Sequence, residues 1–200
     1  MNILRFKKLF IFSLTTIVIS TSSPFIPHYS LGQEMIFPAN FSEEYFEKLD
    51  PNSLENIYRN EKLNFEIRYP EEWTYFVDEH QYTNYITFSS RPLSDPKMSP
   101  RIADGEAKVE VYVLKNESLK DISTWVEEFI ENDPFKPEVK NSWNLVVERE
   151  KAILHKLNTA GMDYYVAYVP YNDKVLLFIG PTVNNKYALN FLQMLKSFNA

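Results

Sequence analysis

The most constraining stretch of this chain is residues 63–73. Leu63, Phe65, Ile67 and Tyr69 alternate with Asn64, Glu66 and Arg68, the period of two that gives a strand one buried face and one wet face. Pro70 has no N–H for a ladder and holds Tyr69 extended, so the strand stops there. Three residues on, Trp73 is large enough to fold back as an apolar plug over the strand end. Such a strand needs other strands beside it and something apolar above it.

The rest of the chain supplies both. Residues 74–77 and 85–88 are predicted as second and third strands, with 78–84 as their turn. Residues 89–106 carry Pro92, Pro96, Pro100 and Gly105 and read as a long polar loop, a length seen in functional or disordered segments. Alternation resumes over 107–114, with Val109, Val111 and Val113 on one face and Lys108, Glu110 and Tyr112 on the other. Ser118 is the expected cap of a helix over 119–132, because Leu119, Ile122, Val126, Phe129 and Ile130 fall at helical spacing with Trp125 alongside. Asn132-Asp133-Pro134 ends it. Strands follow at 143–149, 152–157, 162–169 and 174–179, with hairpin turns at 158–161 and 171–173. Tyr187, Ala188, Phe191, Leu192, Leu195 and Phe198 stripe a C-terminal helix, capped at Asn184 or Asn185. Strands, a helix, more strands and a final helix predict an α+β fold, a central antiparallel sheet with helices packed on its faces as an α/β/α sandwich.

The N-terminus has a different character. Arg5, Lys7 and Lys8 precede an apolar run over 9–19, and small residues follow at Ser30 and Gly32. This pattern predicts a secretory signal over 1–32 with cleavage after Gly32, and hence a secreted or extracytoplasmic protein. The alternative is an uncleaved N-terminal anchor, since Ser and Thr extend the run toward Ile26. Residues 33–57 read as an N-terminal arm, with Ser42 capping a short helix over 43–49. Residues 58–200 form one domain, and a mature chain of this size buries ~70% of the surface its unfolded form exposes. There is no cysteine, so disulfides and lipid attachment through a lipobox cysteine are excluded. Loss of residues 1–32 removes three of 21 basic residues and none of 27 acids, leaving a net charge of −9. That charge opposes phosphate backbones and anionic lipid, so no nucleic-acid partner is expected. Membrane proximity would come through the N-terminus.

No residue pattern nominates a catalytic or cofactor site. Only four glycines occur, Gly32, Gly105, Gly161 and Gly180, too far apart for a phosphate-cradling loop or a nucleophile elbow. Beyond the signal only His80 and His155 remain. Asp78-Glu79-His80 is the one local cluster of metal-capable types, with Asp78 and His80 as candidate ligands; a solvated acidic turn is the simpler reading. His155 lies in a predicted strand and reads as a strand-face histidine. Asp95, Asp104 and Glu106 lack the close spacing of a calcium loop. Glu71-Glu72 and Glu127-Glu128 read as exposed carboxylates without the burial a general acid needs. Asn40 and Asn116 head Asn-x-Ser tripeptides and are glycan acceptors in form. Tyr75, Tyr82, Tyr85, Tyr164, Tyr165 and Tyr168 cannot all point inward on alternating strands, so some belong on a wet or partner-facing surface.

The opening stretch also carries a resemblance. Tyr58 and Asn60, then Phe65, Ile67 and the run Tyr69-Pro70-x-x-Trp73, resemble the opening strand of PsbP-like domains. That family includes the extrinsic subunit of the oxygen-evolving complex and many prokaryotic secreted relatives. Where the family often has Gly before the aromatic, this chain has Asn64, which tolerates positive φ. The ending Leu195-Lys196-Ser197-Phe198 resembles the family's last helix, so the two anchors span residues 58–199. The resemblance implies a non-catalytic accessory or assembly domain that binds a protein partner at the extracytoplasmic membrane face, photosystem II if the source is an oxygenic phototroph. The matching positions are fold markers, and no photosystem-contact residue is carried over. The fold's cousin, the Mog-type Ran-binding protein, does not fit a signal peptide. Two other classes stay open: a small-ligand or metal-binding protein using Asp78 and His80, and a hydrolase with a long-range triad.

Overall fold

The computed structural model describes residues 41–80, 83–90, 107–182 and 187–200, without the side chains of Glu79, His80, Thr83, Asn84 and Thr182. The expected signal, its cleavage after Gly32, Asn40, Tyr82 and residues 91–106 lie outside the described residues. Nine strands and three α-helices are described: α1 (Glu43–Glu47), β1 (Asn56–Asn60), β2 (Phe65–Tyr69), β3 (Thr74–His80), β4 (Thr83–Ser89), β5 (Lys108–Lys115), α2 (Ile122–Glu131), β6 (Glu138–Val147), β7 (Glu150–Thr159), β8 (Met162–Tyr171), β9 (Lys174–Thr182) and α3 (Ala188–Lys196). The fold is α+β with a large antiparallel sheet. Seven strands pair in the order β3-β4-β5-β9-β8-β7-β6, while β1 and β2 make a separate hairpin. The expectation of one central sheet is corrected here, because the opening strand lies outside it.

Alternation along the seven strands gives the sheet two faces. On the first, Ile86, Phe88, Val109, Val111, Leu154, Ala167, Leu176 and Phe178 are buried with Phe191, Leu192 and Leu195 of α3 and with Tyr58, Phe65 and Ile67 of the hairpin. On the second, Ile153, Leu157, Val166, Tyr168, Val175 and Leu177 are buried against Val126 of α2. Phe41, Phe46 and Leu54, from the segment read as an arm, belong to the first cluster, with the Phe41 ring 5.3 Å from that of Trp143. Gly180 sits where a Cβ would lie 2.7 Å from the Phe191 ring. Only glycine lets α3 settle this close to β9.

The hairpin accounts for each residue of the opening motif. Asn60 accepts a hydrogen bond from the Leu63 amide at 2.9 Å and so shapes the turn. Its amide group donates to the Tyr58 hydroxyl at 3.1 Å, and the Tyr58 ring packs on Phe88 at 5.9 Å. Asn64 has a φ of 54°, the left-handed backbone for which glycine or asparagine is suited. Trp73 donates its backbone N–H to the Pro70 carbonyl at 3.1 Å and is buried with its ring 5.5 Å from Tyr187. The Phe65 and Phe198 rings meet at 5.7 Å. The Glu66 amide donates to the Asn199 carbonyl at 2.7 Å, and the Asn199 amide returns the bond at 3.1 Å. The Arg68 amide donates to the Ser197 hydroxyl at 2.8 Å. The two anchors of the sequence are therefore one joint in space.

Several boundaries move. Helix α2 begins after Asp121, whose carboxylate accepts from the Thr124 amide, so Ser118 is not the cap. Leu119, expected on the buried stripe, has a φ of 48° and is 72% exposed. Asn116 is the reason: its side chain accepts from the Lys120 amide at 3.0 Å and donates to the Lys120 carbonyl at 2.7 Å, closing a turn before the helix starts. Tyr187 precedes α3 with no side-chain cap, and Asn184 and Asn185 lie outside the described residues. Strands β6 and β7 are joined by Glu148 and Arg149, with φ of 44° and 68°, the double left-handed turn that Asn-Gly fills best. Each such residue other than glycine costs ~1–2 kcal/mol. The double substitution Glu148→Asn, Arg149→Gly is therefore expected to raise unfolding free energy by ~1–2 kcal/mol in urea titrations.

Candidate functional site

The second face of the sheet changes character halfway across. Register places Thr74, Ser89 and Lys108 in one row, Phe76, Thr87 and Glu110 in the next, and Asp78, Tyr85 and Tyr112 in a third. Of these nine positions on β3, β4 and β5, only Phe76 is purely apolar. Yet Asp78 is 6% exposed, Thr87 2%, Ser89 4% and Glu110 7%. Lys108 Nζ stands 3.0 Å from Glu110 Oε1, with both heads almost out of water. The Tyr85 hydroxyl donates to Asp78 Oδ2 at 3.3 Å and its ring stacks on Tyr112 at 5.4 Å. One strand further, Glu110 faces Ile179 and Tyr112 faces Leu177, and the face becomes apolar beneath α2. A lysine and a glutamate taken out of water are held by each other, because a buried charge without a counter-charge is far costlier.

Lys108, Glu110 and Tyr112 do share the face opposite the valines of β5, as expected, and that face is largely closed to water here. Alternation reports two faces but not which of them meets water. One signal was present: Lys108 and Glu110 stand two apart, on the same face, with opposite charge. The Asp78-Glu79-His80 turn is corrected. Strand β3 runs through all three, so Asp78 lies opposite Tyr85 and His80 opposite Thr83. Asp78 is a buried acceptor; the His80 side chain lies outside the described residues. Among the described residues no three of His, Cys, Asp and Glu gather closely enough to hold a metal ion.

His155 lies on the other half of the same face. It is 8% exposed, flanked along β7 by Ile153 and Leu157 and opposed on β8 by Val166. Its ring meets Tyr168 edge-on at 5.5 Å, and Nδ1 is buried with no hydrogen-bond partner. Burial pushes its pKa down to about 4. Ser142 stands directly opposite on β6, but no Ser–His bond and no His–carboxylate bond is made, so the elements of a triad are not brought together here. A histidine lowered from ~6.5 is neutral in the fold and charged in the unfolded chain at mildly acidic pH. Its contribution to stability is complete above pH 6.5 and is lost as pH falls toward about 4. Urea midpoints taken across that window should show a loss approaching ~3 kcal/mol, removed by His155→Phe.

The tyrosines divide unequally. Tyr165 and Tyr168 are buried rather than wet, and Tyr164 is half-buried, its hydroxyl 3.1 Å from Thr159 Oγ1. Burial raises the pKa of all three. Tyr75, 50% exposed on β3, is the outward ring of a cluster with Tyr58 at 5.1 Å and Tyr69 at 5.8 Å. Glu71, Glu72, Glu127 and Glu128 are exposed, as expected. No helix among the described residues is long and apolar enough to cross a membrane.

Comparison with known proteins adds one fact about the fold. No family model matches the chain, and no curated protein matches it in sequence. The solution structure of the cyanobacterial PsbP (CyanoP) from Synechocystis superposes with a TM-score of 0.51 at 16% identity, covering 72% of this chain and 91% of that one. A crystal structure of a Pseudomonas aeruginosa protein of unknown function gives a TM-score of 0.40 at 16% identity, over 64% and 82% of the two chains. The chain has a PsbP-like fold.

Proposed function

We propose that this chain is a non-catalytic, exported accessory domain that binds a protein partner at the extracytoplasmic face of a membrane. The observation that carries the reading is the joint between hairpin and C-terminal helix, built from the residues of the PsbP-like motif, within a fold that superposes on nearly all of a cyanobacterial PsbP. The layered arrangement, helices on both faces of the sheet, belongs to the same reading. So does the partner: photosystem II if the source is an oxygenic phototroph. What the fold offers is shape, since Lys108 and Glu110 are paired in the polar half-face and His155 is neutral in the core. The basic and apolar N-terminus supplies the export. To test this, the full tagged chain is expressed in its native host and recovered from membranes in mild detergent with and without prior cross-linking. A membrane protein recovered at fixed ratio, protecting a defined surface of the domain from modification, is the expected result. A chain found in the cytoplasm, or eluting alone in both preparations, overturns it.

A further inference from the structure

We propose that α2 is an acid-released cover over the second face of the sheet, and that charging His155 is what releases it. The helix docks through one stripe. Val126 is buried, Ile122, Trp125, Phe129 and Ile130 pack half-buried beside it, and the sheet supplies Ile153, Leu157, Val166, Tyr168 and Leu177. His155 sits inside that seam, with Tyr168 bridging it to the helix. The Tyr168 ring lies 5.5 Å from the imidazole, 6.4 Å from Trp125 and 6.2 Å from Phe129.

The imidazole finds no hydrogen-bond partner at Nδ1, which is buried, and burial alone lowers its pKa. The elements around it carry the following titratable and charged groups. From β8 come Tyr164 and Tyr168; from β6 come uncharged Ser142 and Asn144, opposite His155 and Ile153. Lys140 on β6 is paired with Glu138 at 2.7 Å. Asp133, just past the end of α2, acts on the two tyrosines and bonds the Phe135 amide. On α2, Glu127, Glu128 and Glu131 are exposed, and Glu128 pairs with Lys120. A proton on His155 would thus be an uncompensated charge in an apolar seam, which is expelled by moving the helix or the ring. The helix is the less costly part to move, because its backbone bonds are internal whereas β7 and β8 are bonded on both sides.

The size of the effect follows from the two environments of the ring. With a pKa of about 4 when covered and ~6.5 when in water, uncovering becomes about 20-fold more favourable at pH 5 than at pH 7. Hydrogen exchange on the full chain reads this at the amides of residues 122–131, corrected for intrinsic rates and compared with the centres of β8 and β9. The expected result is an opening constant for α2 that exceeds that of the sheet at both pH values and rises about 20-fold at pH 5. In His155→Phe, the rise should fall below about 3-fold; should that variant not fold, His155→Gln serves, and the wild-type imidazole can be titrated directly by NMR. An α2 opening constant unchanged with pH, one identical to that of the sheet at pH 5, an equal rise in the variant, or a ring titrating near 6.5 would each overturn the proposal.

Discussion

Replacing Phe198 with alanine is expected to cost about 3–5 kcal/mol of folding stability. The ring is 3% exposed and meets Phe65 and Tyr171 at 5.7 Å each and Phe178 at 6.2 Å. These partners come from β2, β8 and β9, so truncation opens a void where three elements meet and no single one can collapse into it. Ser197→Ala is the matched control, since it removes the acceptor of the Arg68 amide without touching the ring, and should cost about 1 kcal/mol. Urea denaturation of both variants measures the difference. A Phe198→Ala cost no greater than the control's would mean that the tail is held by backbone bonds alone. The kinship argued from both anchors would then lose its physical basis.

The second large effect concerns Lys108 and Glu110. Lys108→Met leaves the carboxylate of Glu110 in a site almost closed to water, and Glu110→Leu does the same to the ammonium. Breaking a buried pair from one side typically costs about 3–5 kcal/mol. The double variant should recover most of that loss, because an apolar pair of similar volume leaves no charge stranded. Asp78, Ser89, Lys108 and Glu110 each have interactions beyond this pair, so recovery should be incomplete. A double-mutant cycle gives the coupling directly. Two single variants whose losses simply add would show the pair to be solvated, contrary to the burial described.

The parts legible in the sequence were those with strong local periodicity. The alternation 63–69, the valines of β5 and the stripe of α3 each report a buried face, and each was found. Three features were missed. Strand β1 is short and carries Asn56, Arg59 and Asn60 among its five residues, so it has no apolar period to detect; its pairing with β2 makes it a strand. The start of α2 was misplaced because Leu119 fits a helical stripe by spacing, while Asn116 diverts the backbone through two bonds of its own. The burial of the polar half-face was not legible either. Composition along one strand cannot tell a polar face in water from one facing polar neighbours on two adjacent strands. The rows joining Asp78, Tyr85 and Tyr112 exist only once three strands are in register.

The bond from Arg68 to Ser197 spans 129 positions, and its consequence is kinetic. The meander from β6 to β9 joins neighbours through two-residue turns and closes small loops quickly. The hairpin β1–β2 has no such neighbour and is held down by α3 and the tail, so it must wait until the opposite end of the chain is in place. Assembly is therefore expected to proceed from the meander outward, with docking of the first hairpin last, and a chain stalled before that step would leave Tyr58, Phe65 and Ile67 open to association with other chains.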